Sequence, residues 1–173
     1  FSPQKGADPT ELSKMDAYLA SFAECAKKAI PTANPELPSS GAAGGLGFAF
    51  RTFLKGELES GISIVLRETK LEEHIKDADI VVTGEGRLDA QTVMGKAPAG
   101  VAEIAKKYNI PVIGVAGCVT KDAVACNAAG IDAYFPVLRT VVTLDEAMKT
   151  ENAMQNMTDT VRQIFNLIHS IRG

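Results

Sequence analysis

The chain has 173 residues, of which 46% are hydrophobic and 23% charged, and a formal net charge of −3. That profile suits a folded protein with a core of its own. No Lys- or Arg-rich run and no apolar stretch of bilayer length occurs, so the sequence has neither the electrostatic footprint of a nucleic-acid or anionic-membrane partner nor a helical membrane span.

Phe1, not Met, opens the sequence inside the loop-like stretch Ser2–Gly6, so the chain is expected to be a piece of a longer protein. Asp8-Pro9-Thr10-Glu11 reads as a helix start, with a capping Asp, Pro at the first helical position and an acid three residues after the cap. Leu12, Met15, Leu19, Phe22 and Ala26 then recur at helical spacing, which predicts a helix to about Ala29, before Pro31. Residues 31–40 are a Pro-rich loop, and Gly41–Gly47 leads into a predicted helix from Phe48 to Ser60, ended by Gly61. Ile62–Leu66 reads as a short strand and Leu71–Lys76 as a short helix, with a lobe boundary placed within 67–77. A strand over Asp79–Thr83 enters a charged, glycine-rich loop. A helix over Ala97–Tyr108 follows, then a doubly buried strand at Pro111–Ala116. Further on, a helix is expected over Lys121–Ala129, a strand at Ala133–Pro136, a helix starting at Leu144–Met148 and a last helix capped by Thr150 and reaching Ile171. Alternating strands and helices with short connections argue for an α/β fold: a parallel sheet covered by helices on both faces.

The segment after Thr83 is the richest in chemistry. Gly84, Glu85, Gly86, Arg87, Asp89, Gln91, Thr92, Gly95 and Lys96 fall within a dozen or so positions of a buried strand, where open α/β sheets bind ligands. The phosphate-loop pattern fails, because Ala90 stands where its first glycine belongs and Ala97 where its hydroxyl belongs. The dinucleotide pattern GxGxxG fails as well, at Asp89 and again at Phe50. The composition still suits an anionic ligand: glycines admit close backbone N–H groups, Arg87 and Lys96 neutralise phosphoryl charge, and Glu85 or Asp89 holds magnesium or accepts a hydroxyl proton. The plain alternative is a connector whose charges pair with one another. Gly41, Gly44 and Gly45 are open to two readings, a second anion cradle or small residues for close helix packing. Lys5 is either a solvated side chain or a ligand contact. Gly117 follows a strand at the same sheet edge and is a candidate second wall. Cys25, Cys118 and Cys126 have no CxxC spacing and read as reduced thiols of a cytoplasmic protein, and His74 and His169 lack metal-ligand partners.

Pro3–Ala7, Gly41–Gly47 and above all Gly84–Thr92 with Gly95-Lys96 resemble the signature stretches of the bacterial glycerate kinase family, the type that makes 2-phosphoglycerate. The resemblance implies two lobes in a longer enzyme. Residues 1–70 would be part of an inserted, smaller α/β lobe, and 71–173 the C-terminal part of a Rossmann-like lobe, with the active site in the cleft between. It implies transfer of a phosphoryl group from ATP to D-glycerate with Mg2+, and the N-terminal half of the same protein as a necessary partner. Asp89, Arg87 and Lys96 would be catalytic. Glu85, Gly84, Gly86, Gln91, Thr92, Gly41, Gly44, Gly45 and Lys5 would bind substrate or nucleotide, with Thr92 on phosphate, and Asp89 and Glu85 would hold the metal. The competing reading is a non-catalytic module that binds a small hydroxy acid or nucleotide.

Overall fold

The computed structural model describes Asp8 and residues 10–173, so Lys5 lies outside the described residues. The chain divides between Glu59 and Ser60 into two compact units. This boundary falls earlier than the expected 67–77, and the reason is the behaviour of residues 61–68, described below.

The described part of the first unit is helical and contains no strand, where part of an α/β lobe was expected. Helix α1 spans Leu12–Ala29 and stops where the sequence predicts. It begins later than the capping signal. The Asp8 carboxylate accepts from both the N–H and the hydroxyl of Thr10 at 2.8 Å, closing a local turn ahead of the helix. Ala23 and Ala26 pack with Ala33 and Phe48 to form this unit's core, and the Phe22 ring meets Phe48 edge-on at 6.1 Å. Helix α2, Ala42–Leu54, is interrupted at its start: Ala43, Gly44 and Gly45 take left-handed φ values of 51°, 68° and 93°. Right-handed helix runs only from Leu46, and it ends at a left-handed Lys55 rather than at Ser60. A Cβ on Gly47 would lie 2.2 Å from Ser39 O, so this glycine permits close packing of the helix on the preceding loop.

The second unit holds a parallel three-stranded sheet in the order β1 (Val81–Leu88), β2 (Val112–Val119), β3 (Ala133–Pro136). Around it run α3 (Gly61–Glu68), α4 (Leu71–Ile75), α5 (Ala97–Lys107), a 3-10 turn at Lys121–Val124, α6 (Ala125–Ala128), α7 (Leu144–Ala147) and α8 (Thr150–Arg172). Strand β2 is buried on both faces. Val112 and Ala116 join Ile75, Ala102, Ala105 and Cys126 on the α4–α5–α6 side, whereas Ile113 and Val115 meet Ile164 of α8 on the other. Asp132 ties the sheet to α5: its carboxylate accepts from Val112 N–H at 2.7 Å and from Lys106 Nζ at 2.5 Å.

Several elements differ from expectation: the helix expected over Lys121–Ala129 is a 3-10 turn followed by a four-residue helix, and Lys149 rather than Thr150 precedes α8. Ile62–Leu66, predicted as a strand, is the middle of helix α3. Ile62 and Leu66 are four residues apart and so share a helix face, and both press on Gly100 of α5, where an added Cβ would come within 2.9 Å of each. This contact attaches α3 to the second unit. A short apolar run does not reveal its period, and here helix packing decided it. Strand β1 is longer than predicted and carries Gly84-Glu85-Gly86-Arg87 as strand, with Glu85 opposite Ala116 and Arg87 opposite Cys118. Gly84, expected in a ligand-binding loop, and Gly117 are points of close approach between strands. A Cβ on Gly84 would lie 2.0 Å from Val115 O, and one on Gly117 would lie 2.5 Å from Gly86 O. Gly117 therefore serves strand packing.

Gly86 differs from both, since nothing lies within 4 Å of its Cβ position. Gly84→Ala is expected to destabilise the second unit by about 2 kcal/mol or more, and Gly86→Ala to change it by less than about 0.5 kcal/mol. Urea unfolding of the two variants, side by side, measures the difference.

Candidate active site

Strand β1 delivers Glu85 and Arg87, and the chain then turns over residues 89–95 into α5. The turn is built by its own polar groups. The Asp89 carboxylate accepts from Gln91 N–H at 2.9 Å, while Asp89 N–H donates to the Thr92 hydroxyl at 3.1 Å. That hydroxyl in turn donates to Glu85 Oε1 at 2.6 Å. Gly95 completes the turn at φ 92°, a region other residues avoid. Lys96 is the residue that precedes α5, and Pro98 sits in its first turn.

Four charges converge here. Arg87 Nε donates to Asp89 Oδ2 at 3.1 Å, and Lys96 Nζ lies 3.5 Å from both Asp89 Oδ1 and Glu85 Oε2. Asp89 is only 6% exposed. Burial pushes its carboxyl up, but the Gln91 N–H, the Lys96 charge and the Arg87 bond together outweigh burial and hold it below the ordinary 3.8. It is therefore a carboxylate at neutral pH, held by two cations and a backbone donor. The Arg87 side chain is half exposed, so that ion pair adds little to stability and leaves the guanidinium within reach of a ligand. The N-terminus of α5 adds partial positive charge beside Lys96.

Glu85, Arg87, Asp89, Thr92 and Lys96 thus form one contact network. Gly84 and Gly86 lie in the same strand and Gln91 in the same turn. Gln91 Oε1 is buried and has no hydrogen-bond partner among the described residues. Thr92 has no exposed surface and its hydroxyl is committed to Asp89 and Glu85, so it suits holding the turn better than touching phosphate. Gly41, Gly44 and Gly45 belong to the first unit. Gly41 and Gly45 line a cavity of about 300 Å³ floored by Leu19, Phe22 and Phe48, and a Cβ on Gly45 would come within 2.8 Å of Leu19. Among the described residues no group of three or more His, Cys, Asp or Glu side chains is arranged to hold a metal ion. Glu85 and Asp89 are a pair of hard oxygen donors around one cation, Lys96. Magnesium commonly takes only one or two carboxylates and completes its shell with phosphate and water, so the pair fits that ion.

Sequence reasoning missed the side chains that brace the turn from beneath: Thr120, Asp122 and Cys126, all following β2. Thr120 N–H donates to Leu88 O at 3.0 Å, and Cys126 Sγ lies 3.8 Å from Asp89 O. Burial raises the Cys126 thiol, which is fully enclosed. The available signal was topological, since the loop after β2 opens at the same sheet edge as the loop after β1.

A model of the glycerate kinase family matches residues 1–169. The chain belongs to the glycerate kinase family. It is 50% identical over 149 residues to a protein of Escherichia coli (strain K12) named glycerate 2-kinase, covering 86% of this chain and 39% of that protein. With a glycerate kinase of Bacillus subtilis (strain 168) it shares 44% identity over 164 residues, covering 95% of this chain and 42% of the relative. A crystal structure from Salmonella typhimurium LT2, provisionally called glycerate kinase 2, superimposes with a TM-score of 0.71 at 41% identity and covers 99% of this chain and 44% of that one. The chain therefore spans less than half the length of these relatives. The segment Gly84–Lys96, within the matched residues, is the one that folds into the network above.

Two outcomes follow from the Asp89 network. Thr92→Val leaves Asp89 N–H and Glu85 without their shared partner in a buried setting and is expected to destabilise by about 1–3 kcal/mol, read from urea unfolding. Asp89 has a lowered folded pKa, so its stabilising effect is complete above the unfolded value and disappears as pH falls through the folded one. The stability gap between the parent chain and Asp89→Asn should hold from pH 5 to 8 (a range about one unit or more above 3.8) and narrow steadily below the ordinary 3.8.

Proposed function

We propose that this chain forms part of a longer enzyme that transfers the γ-phosphoryl group of ATP to the 2-hydroxyl of D-glycerate, giving 2-phosphoglycerate. The observation that carries the reading is the joining of Asp89, Glu85, Arg87 and Lys96 at the end of β1 in a chain 50% identical to a protein named glycerate 2-kinase. Phosphoryl transfer of this kind needs positioning and charge neutralisation more than covalent chemistry.

Each residue has a part in that task. Arg87 and Lys96 are cations already held next to carboxylates, and they neutralise the phosphates or the glycerate carboxylate when these enter. Asp89, ionised and fixed by Gln91 N–H, accepts a hydrogen bond from the attacking hydroxyl and orients its oxygen. A carboxylate held below 3.8 is a weak base, which suits orientation in a loose transition state better than early proton removal. Asp89 and Glu85 would hold Mg2+, which supplies charge stabilisation on the transferred group. Gly86 has open space where a side chain would stand and lets a ligand approach the backbone. Gly41, Gly44 and Gly45 are assigned to substrate or nucleotide binding on their glycine backbone, and Lys5 on its place in the family's signature stretch. The residues before Ser60 are assigned to the inserted lobe, the remainder to the Rossmann-like lobe, and the cytoplasm is the proposed location. The N-terminal part of the full-length protein is proposed to complete the site.

The test uses the full-length protein. Coupling to enolase without a mutase reads 2-phosphoglycerate directly, and ADP release reads any transfer to glycerate. Glycerate-dependent ADP release with a positive enolase signal is expected. ADP release without it moves the product to the 3-position, and binding of ATP or glycerate with no ADP release would mean a binding module instead. Asp89→Asn should lower kcat by roughly 100-fold or more with a smaller change in KM.

A further inference from the structure

Three consecutive residues of the catalytic turn, 88–90, are gripped by the segment 120–126 beyond β2. Thr120 N–H donates to Leu88 O at 3.0 Å, Cys126 Sγ points at Asp89 O from 3.8 Å, and Ala90 N–H donates to Asp122 Oδ2 at 3.3 Å. The Thr120 hydroxyl donates to the other oxygen of Asp122, which fixes that carboxylate in turn. Of these groups only Asp122 brings a charge.

We propose that Asp122 is a positioning residue for Asp89, acting by anchoring the N–H of the next residue, Ala90, so that the turn keeps its shape. Ala90 and Gln91 present consecutive N–H groups just after Asp89. The first goes to Asp122 and the second to Asp89 Oδ1. The second is the Asx-turn pattern, in which an aspartate bonds the N–H two residues on. Without Asp122 the Ala90 N–H loses that anchor and the turn carrying Asp89 loosens, shifting its oxygens relative to Arg87 Nε and Lys96 Nζ, which hold them at 3.1 and 3.5 Å. Displacing a catalytic group by a fraction of an ångström is enough to slow transfer, since the rate depends on near-attack geometry.

The kinetic half of this inference rests on the proposed phosphoryl transfer, and the structural half does not. Asp122→Ala and Asp122→Asn are compared with the parent in the full-length protein. The asparagine keeps an oxygen for Ala90 N–H and serves as the second variant should alanine disturb folding. Hydrogen–deuterium exchange over residues 88–92, read by mass spectrometry, should rise roughly tenfold at Ala90 in Asp122→Ala and stay near the parent value in Asp122→Asn. In the ADP-release assay, Asp122→Ala should lose on the order of 10- to 100-fold in kcat with KM for ATP and glycerate within about threefold, and Asp122→Asn should recover most of it. Parent-like exchange at Ala90 in Asp122→Ala overturns the proposal whatever the activity. So does a parent-like kcat, or a loss confined to KM. If the parent enzyme itself fails to phosphorylate glycerate, the functional reading falls, while the exchange data still decide whether Asp122 holds the turn.

Discussion

Strands β1 and β2 stay paired beyond their apolar halves, from Val81 opposite Val112 as far as Leu88 opposite Val119, and the geometry of the site depends on that continued pairing. Two glycines make it possible. At Gly84 and Gly117 any side chain would collide with a backbone carbonyl of the neighbouring strand. With the strands in contact, Glu85 and Arg87 stand on a hydrogen-bonded ladder instead of a free loop, and their spacing follows from strand geometry. The turn that follows inherits this rigidity through Thr120, Asp122 and Cys126, which hang from the end of the same β2.

Electrostatics do the rest. Burying Asp89 would by itself favour the neutral acid, but a backbone donor and two cations reverse the balance, so the site presents a fixed negative group flanked by positive ones. Such a cluster is internally neutralised. Its contacts with Lys96, at 3.5 Å, are long for charge-assisted hydrogen bonds and yield easily to a stronger anionic partner. Positioning charges in advance, on strands and at a helix start, is how an active site avoids reorganising at the moment of reaction.

Much of this was legible in the residues. Periodicity located α1, α5 and α8 to within a few positions, because each has an apolar stripe repeated over several turns. The apolar run at Pro111–Ala116 was legible as a doubly buried strand for a similar reason. Where the reading failed, the cause was local ambiguity. Ile62–Leu66 is too short to show a period, and its helix exists because Ile62 and Leu66 both seat on Gly100. Gly84 and Gly86 carry the same letter with different physical demands, one forced by Val115 O and the other by nothing within the described residues. Asp8 made a turn of its own instead of capping the helix.

The sequence by itself determined the fold class, the family signature and the membership of the charged cluster, because these depend on the order of residue types along a short stretch. Tertiary structure alone decided that Glu85 and Arg87 lie on a strand, that Thr92 faces inward as a link, and that Asp122 reaches Ala90 across 32 positions of chain. Those outcomes depend on which backbone groups are left without partners when strands and helices pack, and buried donors and acceptors take whichever partner the fold brings near.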